Sequence, residues 1–281
     1  MKKYKVIILS LFLLIVIYYQ LSQLTVATIK YFPLNTEAEF SNVSTTLNLI
    51  DQDNQIPKLQ WKIQSQHQQD SYLDQNVGLL YENGRLIGIQ SKWSQSNDPL
   101  SQMTELNAEP DSLYQAISYH YLELHQPSQS ITSNYQMTTD QLYVIKQDPL
   151  QFFHYPKSLK DQTIASNIDD KINQDLNKNW LDLINHYQID QDSYYAIPFI
   201  DLYRFQDEPL PGLNLDDSKR VIAQIWEGLY KNYILPASQQ QTQNEIMPLI
   251  LLAKDGDHLL ILFYDHKGDP EQLMQKINMS E

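Results

Sequence analysis

The sequence predicts an α+β chain: an N-terminal transmembrane helix, then antiparallel sheet layers with helices packed on them. Three observations carry that expectation. An apolar run follows Lys2, Lys3 and Lys5 near the start. The dipeptides Asn83-Gly84 and Asp255-Gly256 each sit between apolar runs, where they suit a tight turn joining adjacent antiparallel strands. From Ser158 to Tyr187 the apolar residues recur at helical spacing. The expected order of strands, helix, strands, then helix, strand, helix, hairpin and helix lacks the regular β-α-β alternation of a parallel sheet. The stretch "KQDPLQFFHYPKS", with two prolines, marks a boundary between candidate subdomains at 58–150 and 157–281.

Residues 1–5 are the expected cytoplasmic tail. From Val6 to Tyr19 only Ser10 is polar. A helix of that length spans about 21 Å, short of the roughly 30 Å hydrocarbon core. Extension through Leu24 supplies the missing length, so 6–24 is the expected anchor. Tyr18, Tyr19, Gln20, Ser22 and Gln23 would then lie at the outer interface. The lysines hold the amino end inside, which places the bulk of the chain outside the cell membrane. A cleaved signal peptide opens in the same way, but Thr25-Val26-Ala27 is a poor version of its small-x-small site. The span holds no charged residue and no Gly, so it reads as a plain tether.

Residues 25–57, interrupted by Pro33 and Pro57, read as a stalk or irregular approach. Leu59, Trp61 and Ile63 alternate as in a strand with one buried face. The polar stretch "QSQHQQDSYLDQN" reads as a loop, 77–93 as a hairpin around Asn83-Gly84, and "SQSNDPLSQMTELNAEPD" as the loop leaving it. A helix is expected from Asp111, which would cap its first turn, to just before Pro127. Two strands follow, at 130–137 and 141–145. Ser158 and Asp161 form a capping box for a long helix whose stripe is Ile164, Ile168, Ile172, Leu176, Trp180, Leu183 and Ile184. "YAIPFIDLYRF" reads as a strand, with Pro198 arguing for an edge position. A second helix is expected from Asp216 to Ile234, with Asp216 and Asp217 at the positive end of its dipole and Pro236 as its stop. The hairpin around Asp255-Gly256 and a short helix at 270–277 close the chain.

Composition bounds the function. The chain has 281 residues, 42% apolar and 19% charged, with 19 Tyr and four Trp, enough to bury a real core. The net charge is −14. Taking the three leading lysines from the 20 basic residues leaves 17 against 34 acidic ones. Such a domain repels phosphate backbones and anionic headgroups, so nucleic acid is not an expected partner. Cysteine is absent, which excludes disulfides, thiolate metal sites and cysteine nucleophiles, and fits a bacterial exported protein.

The stretch "SYHYLELH" brings His120, Glu123 and His125 within six positions, a spacing that invites a metal. On a helix His120 and Glu123 lie about 60° apart, but His125 lies about 140° from His120, off the shared face. His67, His154, His186, His258 and His266 have no ligand spacing among them. With seven Gly, no G-x-G-x-x-G, no Walker A pattern and no G-x-S-x-G, neither a phosphate cradle nor an elbow serine is expected. Asp201, inside an apolar stretch, is the carboxylate of most interest because burial would raise its pKa. Asp255, Asp257, Asp265 and Asp269 surround two turns about 20 Å apart, too far to share one ion.

No catalytic, cofactor-binding or metal residue is therefore assigned. The expected role is a single-pass, extracytoplasmic binding or regulatory module for another envelope protein, with the membrane as its other partner. The alternatives are an extracytoplasmic hydrolase using paired carboxylates and a small-molecule or peptide-binding domain.

Overall fold

The computed structural model describes residues 29–35, 37–50, 57–95, 98–125, 130–147, 150–240 and 243–278. The expected tail and anchor, 1–24, lie outside the described residues. Among those described, no helix is long and apolar enough to cross a membrane.

The described strands form three sheets, antiparallel within each. One has the order β1-β2-β5, built from Phe40–Ile50, Lys58–His67 and Leu100–Asn107. A second has the order β4-β3-β6-β7-β8, from Arg85–Ser94, Leu73–Glu82, Ser112–His125, Ile131–Ile145 and Gln151–Phe153. The third runs β12-β11-β10-β9, from Pro270–Lys276, His258–Tyr264, Leu249–Ala253 and Tyr194–Pro198. Helix α1 is Leu159–His186, α2 is Leu215–Leu229 and α3 is the short Leu235–Ser238.

The five-stranded sheet is the middle layer, and strand alternation divides its side chains between two cores. Val77, Leu79, Tyr81, Ile117, Tyr119 and Met137 enter a large core shared with α1, α2, β10 and β11. Leu80, Tyr114, Ala116, Leu142 and Val144 enter a smaller one closed by Leu47, Leu59, Trp61 and Ile63 of the three-stranded sheet. The large core draws on residues 73–145 and 165–277 alike, so both candidate subdomains contribute to it.

Local chemistry places several elements where the sequence expects them. Ser158 accepts from the Asp161 amide and the Asp161 side chain answers to the Ser158 amide, and the expected stripe of α1 is buried from Ile172 to Ile184. The β3–β4 turn puts Asn83 at φ 51° and Gly84 at φ 78°, as a two-residue type I′ turn requires. β9 lies at a sheet edge, as Pro198 demands, but the chain then bends into a 3-10 helix, Phe199–Gln206, where the strand was expected to continue.

Other expectations are corrected. The segment after Asp111 is strand β6, not a helix. β6 is buried on both faces, so its apolar residues do not keep to alternate positions and a helical spacing can be picked out of it by chance. Asp111 opens the strand from φ 58° and caps no helix. The two strands expected at 130–145 are one, β7. Its polar middle, Thr138 to Asp140, is held by Thr45, His120 and the Leu47 amide. The approach 25–57 contains β1, and the loop after the first hairpin contains β5. Their outward Asn, Ser, Gln and Glu side chains hide the alternation. The helix expected from Asp216 to Ile234, with Pro236 as its stop, instead passes through a π turn, Tyr230–Ile234, into α3, where Pro236 sits in the first turn and needs no donor. The closing helix is β12, an edge strand paired along its length with β11.

Candidate functional site

The outer edge of β7 is paired at its two ends and, among the described residues, lacks a strand partner between them. Its inner edge pairs with β6 from Ile131 to Val144. On its outer edge Ser133 donates to the Pro33 carbonyl at 3.0 Å and accepts from the Asn35 amide at 2.8 Å. At the far end Tyr143, Val144 and Ile145 pair with β8. Between these, residues 134–142 have no strand partner on that side among the described residues.

Side chains occupy the gap. The Tyr135 amide donates to Oδ1 of Asn134 at 2.8 Å, the Met137 amide to Oε1 of Gln206, and the Gln141 amide to Oδ1 of Asp140 at 2.9 Å. These alternate positions share the outward direction of Ser133, as a strand's period of two requires. Capping edge donors in this way blunts a sheet edge against uncontrolled pairing.

Two clefts open along the same gap. One, of about 320 Å³, is lined by Phe40, Tyr135, Gln206, Asp207 and Lys219 among others. The other, about 140 Å³, is lined by Thr139, Asp140, Tyr155, Asp201, Tyr203 and Arg204 among others. Tyr155 and Tyr203 are both exposed. Burial raises the Asp201 carboxyl, and the nearby Arg204 guanidinium opposes that rise. Asp140 is committed: Oδ1 meets His154 Nδ1 at 2.9 Å and Oδ2 accepts from the Leu47 amide at 2.7 Å. A cleft this small is below the roughly 300 Å³ of a typical ligand site and suits a single side chain better than a sugar ring.

A larger groove, about 630 Å³, runs between α1 and the β3–β4 turn. Ile87, Ile164, Ile168 and Ile172 form its floor, and Arg85 pairs with Asp175 at 2.9 Å on its rim.

The trio of "SYHYLELH" is split by the strand. His120 points into the sandwich, where Nδ1 meets Asn76 Oδ1 and Nε2 meets Thr138 Oγ1, both at 2.8 Å. Burial pulls its pKa down to about 3. Glu123 and His125 lie on the opposite face, paired at 2.6 Å, with His125 stacked on Tyr72. Asp255, Asp257 and His258 do gather their ligand atoms within 4.8 Å. Both ring nitrogens of His258 are engaged, one by Asp257 and the other by the Tyr194 hydroxyl at 2.8 Å. Asp265 accepts from the Lys267 and Asp269 amides within its own turn. Sequence reasoning missed His67 and Asp74, a buried pair at the polar end of the sandwich whose burial raises the Asp74 carboxyl. It also missed the β7 edge. The alternation of Tyr135, Met137 and Tyr143 was the available signal.

No protein-family model, curated protein or solved structure matches this chain.

Proposed function

We propose that the chain is a membrane-anchored, extracytoplasmic binding module that holds or regulates another protein of the cell envelope. The supporting observation is how the chain meets its folded body. Ile29 is wholly buried, the Tyr31 amide donates to Glu227 at 3.0 Å, the Tyr121 hydroxyl donates to the Lys30 carbonyl at 2.8 Å, and Ser133 Oγ donates to the Phe32 carbonyl at 2.9 Å. This strap begins five residues after Leu24, the end of the apolar run, a reach of at most about 17 Å at roughly 3.4 Å per residue.

A body tied that close to its anchor keeps the start of the strap at the β6–β7 end within about 17 Å of the end of the apolar run. Confinement to the same membrane raises the effective concentration of any partner that is itself embedded. The net charge of −14 disfavours contact with anionic headgroups, which leaves a protein as the natural occupant of the exposed surface.

Protease shaving and crosslinking in intact cells test this. The body should be digested from outside, and crosslinking should capture a specific envelope protein. Recovery of the whole chain in the soluble fraction without detergent, or capture of no specific partner, would overturn the reading.

A further inference from the structure

We propose that the outer edge of β7 between Tyr135 and Gln141 accepts an extended, basic segment of a partner protein as an added strand. The proposal rests on the binding-module reading and names its surface.

Three observations converge on this edge. The first is continuity: backbone pairing is already present at both ends, with Pro33 and Asn35 at Ser133 and with β8 at Tyr143. An added segment would fill the interval along the same line, about 23 Å for seven residues.

The second is the nature of the caps. Asn134 and Asp140 cap their immediate neighbours, and Gln206 reaches across from the 3-10 helix. Exchange of a side-chain acceptor for a backbone carbonyl replaces one hydrogen bond by another, so opening the edge costs little. The incoming main chain supplies the acceptors, and the two clefts receive its side chains.

The third is charge. Glu39 and Asp207 line one cleft and Asp140 and Asp201 the other, against Lys219 and Arg204. The acidic excess favours a segment carrying Lys or Arg. It disfavours a second copy of this chain, whose net charge of −14 would be brought against an equal one.

The test uses the full chain in neutral detergent micelles and a capped nine-residue peptide of alternating Lys and Val. A second peptide is N-methylated at alternate amides and a third has Glu for Lys. Binding is read by fluorescence anisotropy and located by hydrogen exchange. The Lys peptide should bind and protect residues 134–141, and both altered peptides should bind at least tenfold more weakly. Thr139→Pro removes an outward donor and should weaken binding tenfold or more. Gln206→Ala removes a competing cap and should tighten binding about fivefold, an effect misfolding would not produce. Absence of binding, protection confined to other segments, equal binding of the N-methylated peptide, or weaker binding by Gln206→Ala would overturn the proposal. In cells, a partner captured equally by the wild type and Thr139→Pro would overturn the edge assignment and leave the binding-module reading standing. Capture by neither would overturn that reading itself.

Discussion

The two faces of the five-stranded sheet solve burial in different ways. Toward the helices, aromatic rings fill the space: Tyr119 stacks on Trp226 with centroids 4.8 Å apart and on Tyr135 at 5.0 Å, and Phe199 meets Trp226 edge-on at 5.0 Å. Their polar tips are carried out to backbone or side-chain partners, as with the Tyr135 hydroxyl on the Lys219 carbonyl and the Tyr143 hydroxyl on Asp169. Toward the three-stranded sheet, one end is apolar around Trp61 and Leu47, while the other is a chain of buried polar groups. There Thr45 meets Ser118 and Thr138, each at 2.6 Å, and Thr138 meets His120. The large face gains its stability from apolar area. The small face gives up part of that area for directional bonds that fit only one alignment of the two sheets.

The largest expected effect lies on the aromatic face. Trp226→Ala removes a fully buried ring from the stacks on Tyr119 and Phe199 and leaves Met137 without its indole N–H contact. Loss of about 3–5 kcal/mol is expected, measured by urea denaturation followed by circular dichroism. A loss under about 1 kcal/mol would mean that this core is loosely packed and would remove the contrast between the faces.

The polar end should reveal itself through pH. His120 stays neutral in the fold down to about pH 3, whereas an unfolded histidine takes up its proton near 6.5. The unfolded state therefore binds more protons between these values, and the stability tied to His120 is present above pH 6.5 and lost as pH falls. At about 1.4 kcal/mol per pH unit, on the order of 3 kcal/mol should be gone by pH 4.5. Asp74 acts in the opposite sense: its raised pKa means that acid favours the fold over the window above 3.8. Comparison with a variant isolates the histidine. His120→Gln should be less stable at pH 7 but show a clearly shallower decline to pH 4.5, and an unchanged decline would assign the acid sensitivity elsewhere.

This contrast also explains what could be read from the sequence. Helix α1 was legible because one buried face and a local capping box leave a period and a start signal in the chain itself. The hairpins were legible because Asn83-Gly84 and Asp255-Gly256 specify their turns locally. Strand β6 was not, because burial on both faces erases the alternation that separates a strand from a helix. Strands β1 and β5 were hidden for the reverse reason, being clothed outwardly in Asn, Ser, Gln and Glu. The β7 edge was the least legible of all, since one of its caps, Gln206, lies 69 positions from the amide it satisfies. No local pattern encodes such a contact.

Two glycines give the smallest and sharpest comparison. On the sandwich side, a Cβ at Gly78 would overlap Ile63 Cδ1, lie 2.8 Å from Trp61 Cζ2 and lie 3.0 Å from Ser118 Oγ. The tip of Ile63 can rotate away, but Trp61 is also pressed by Gly88, where an added Cβ would sit 3.3 Å from the indole. Gly78→Ala should therefore cost about 1–3 kcal/mol through overpacking, and Ile63→Val in the same chain should return part of it. On the helix side, a Cβ at Gly228 in α2 meets only Leu273 Cδ1, at 3.7 Å. Gly228→Ala should be neutral or stabilise by about 0.5–1 kcal/mol, because alanine loses less chain entropy in a helix. Gly78→Ala should lower the melting temperature, and Gly228→Ala should leave it unchanged or raise it. A lower melting temperature for Gly228→Ala as well would mean that the helix backbone at Gly228 is approached as tightly as the strand backbone at Gly78.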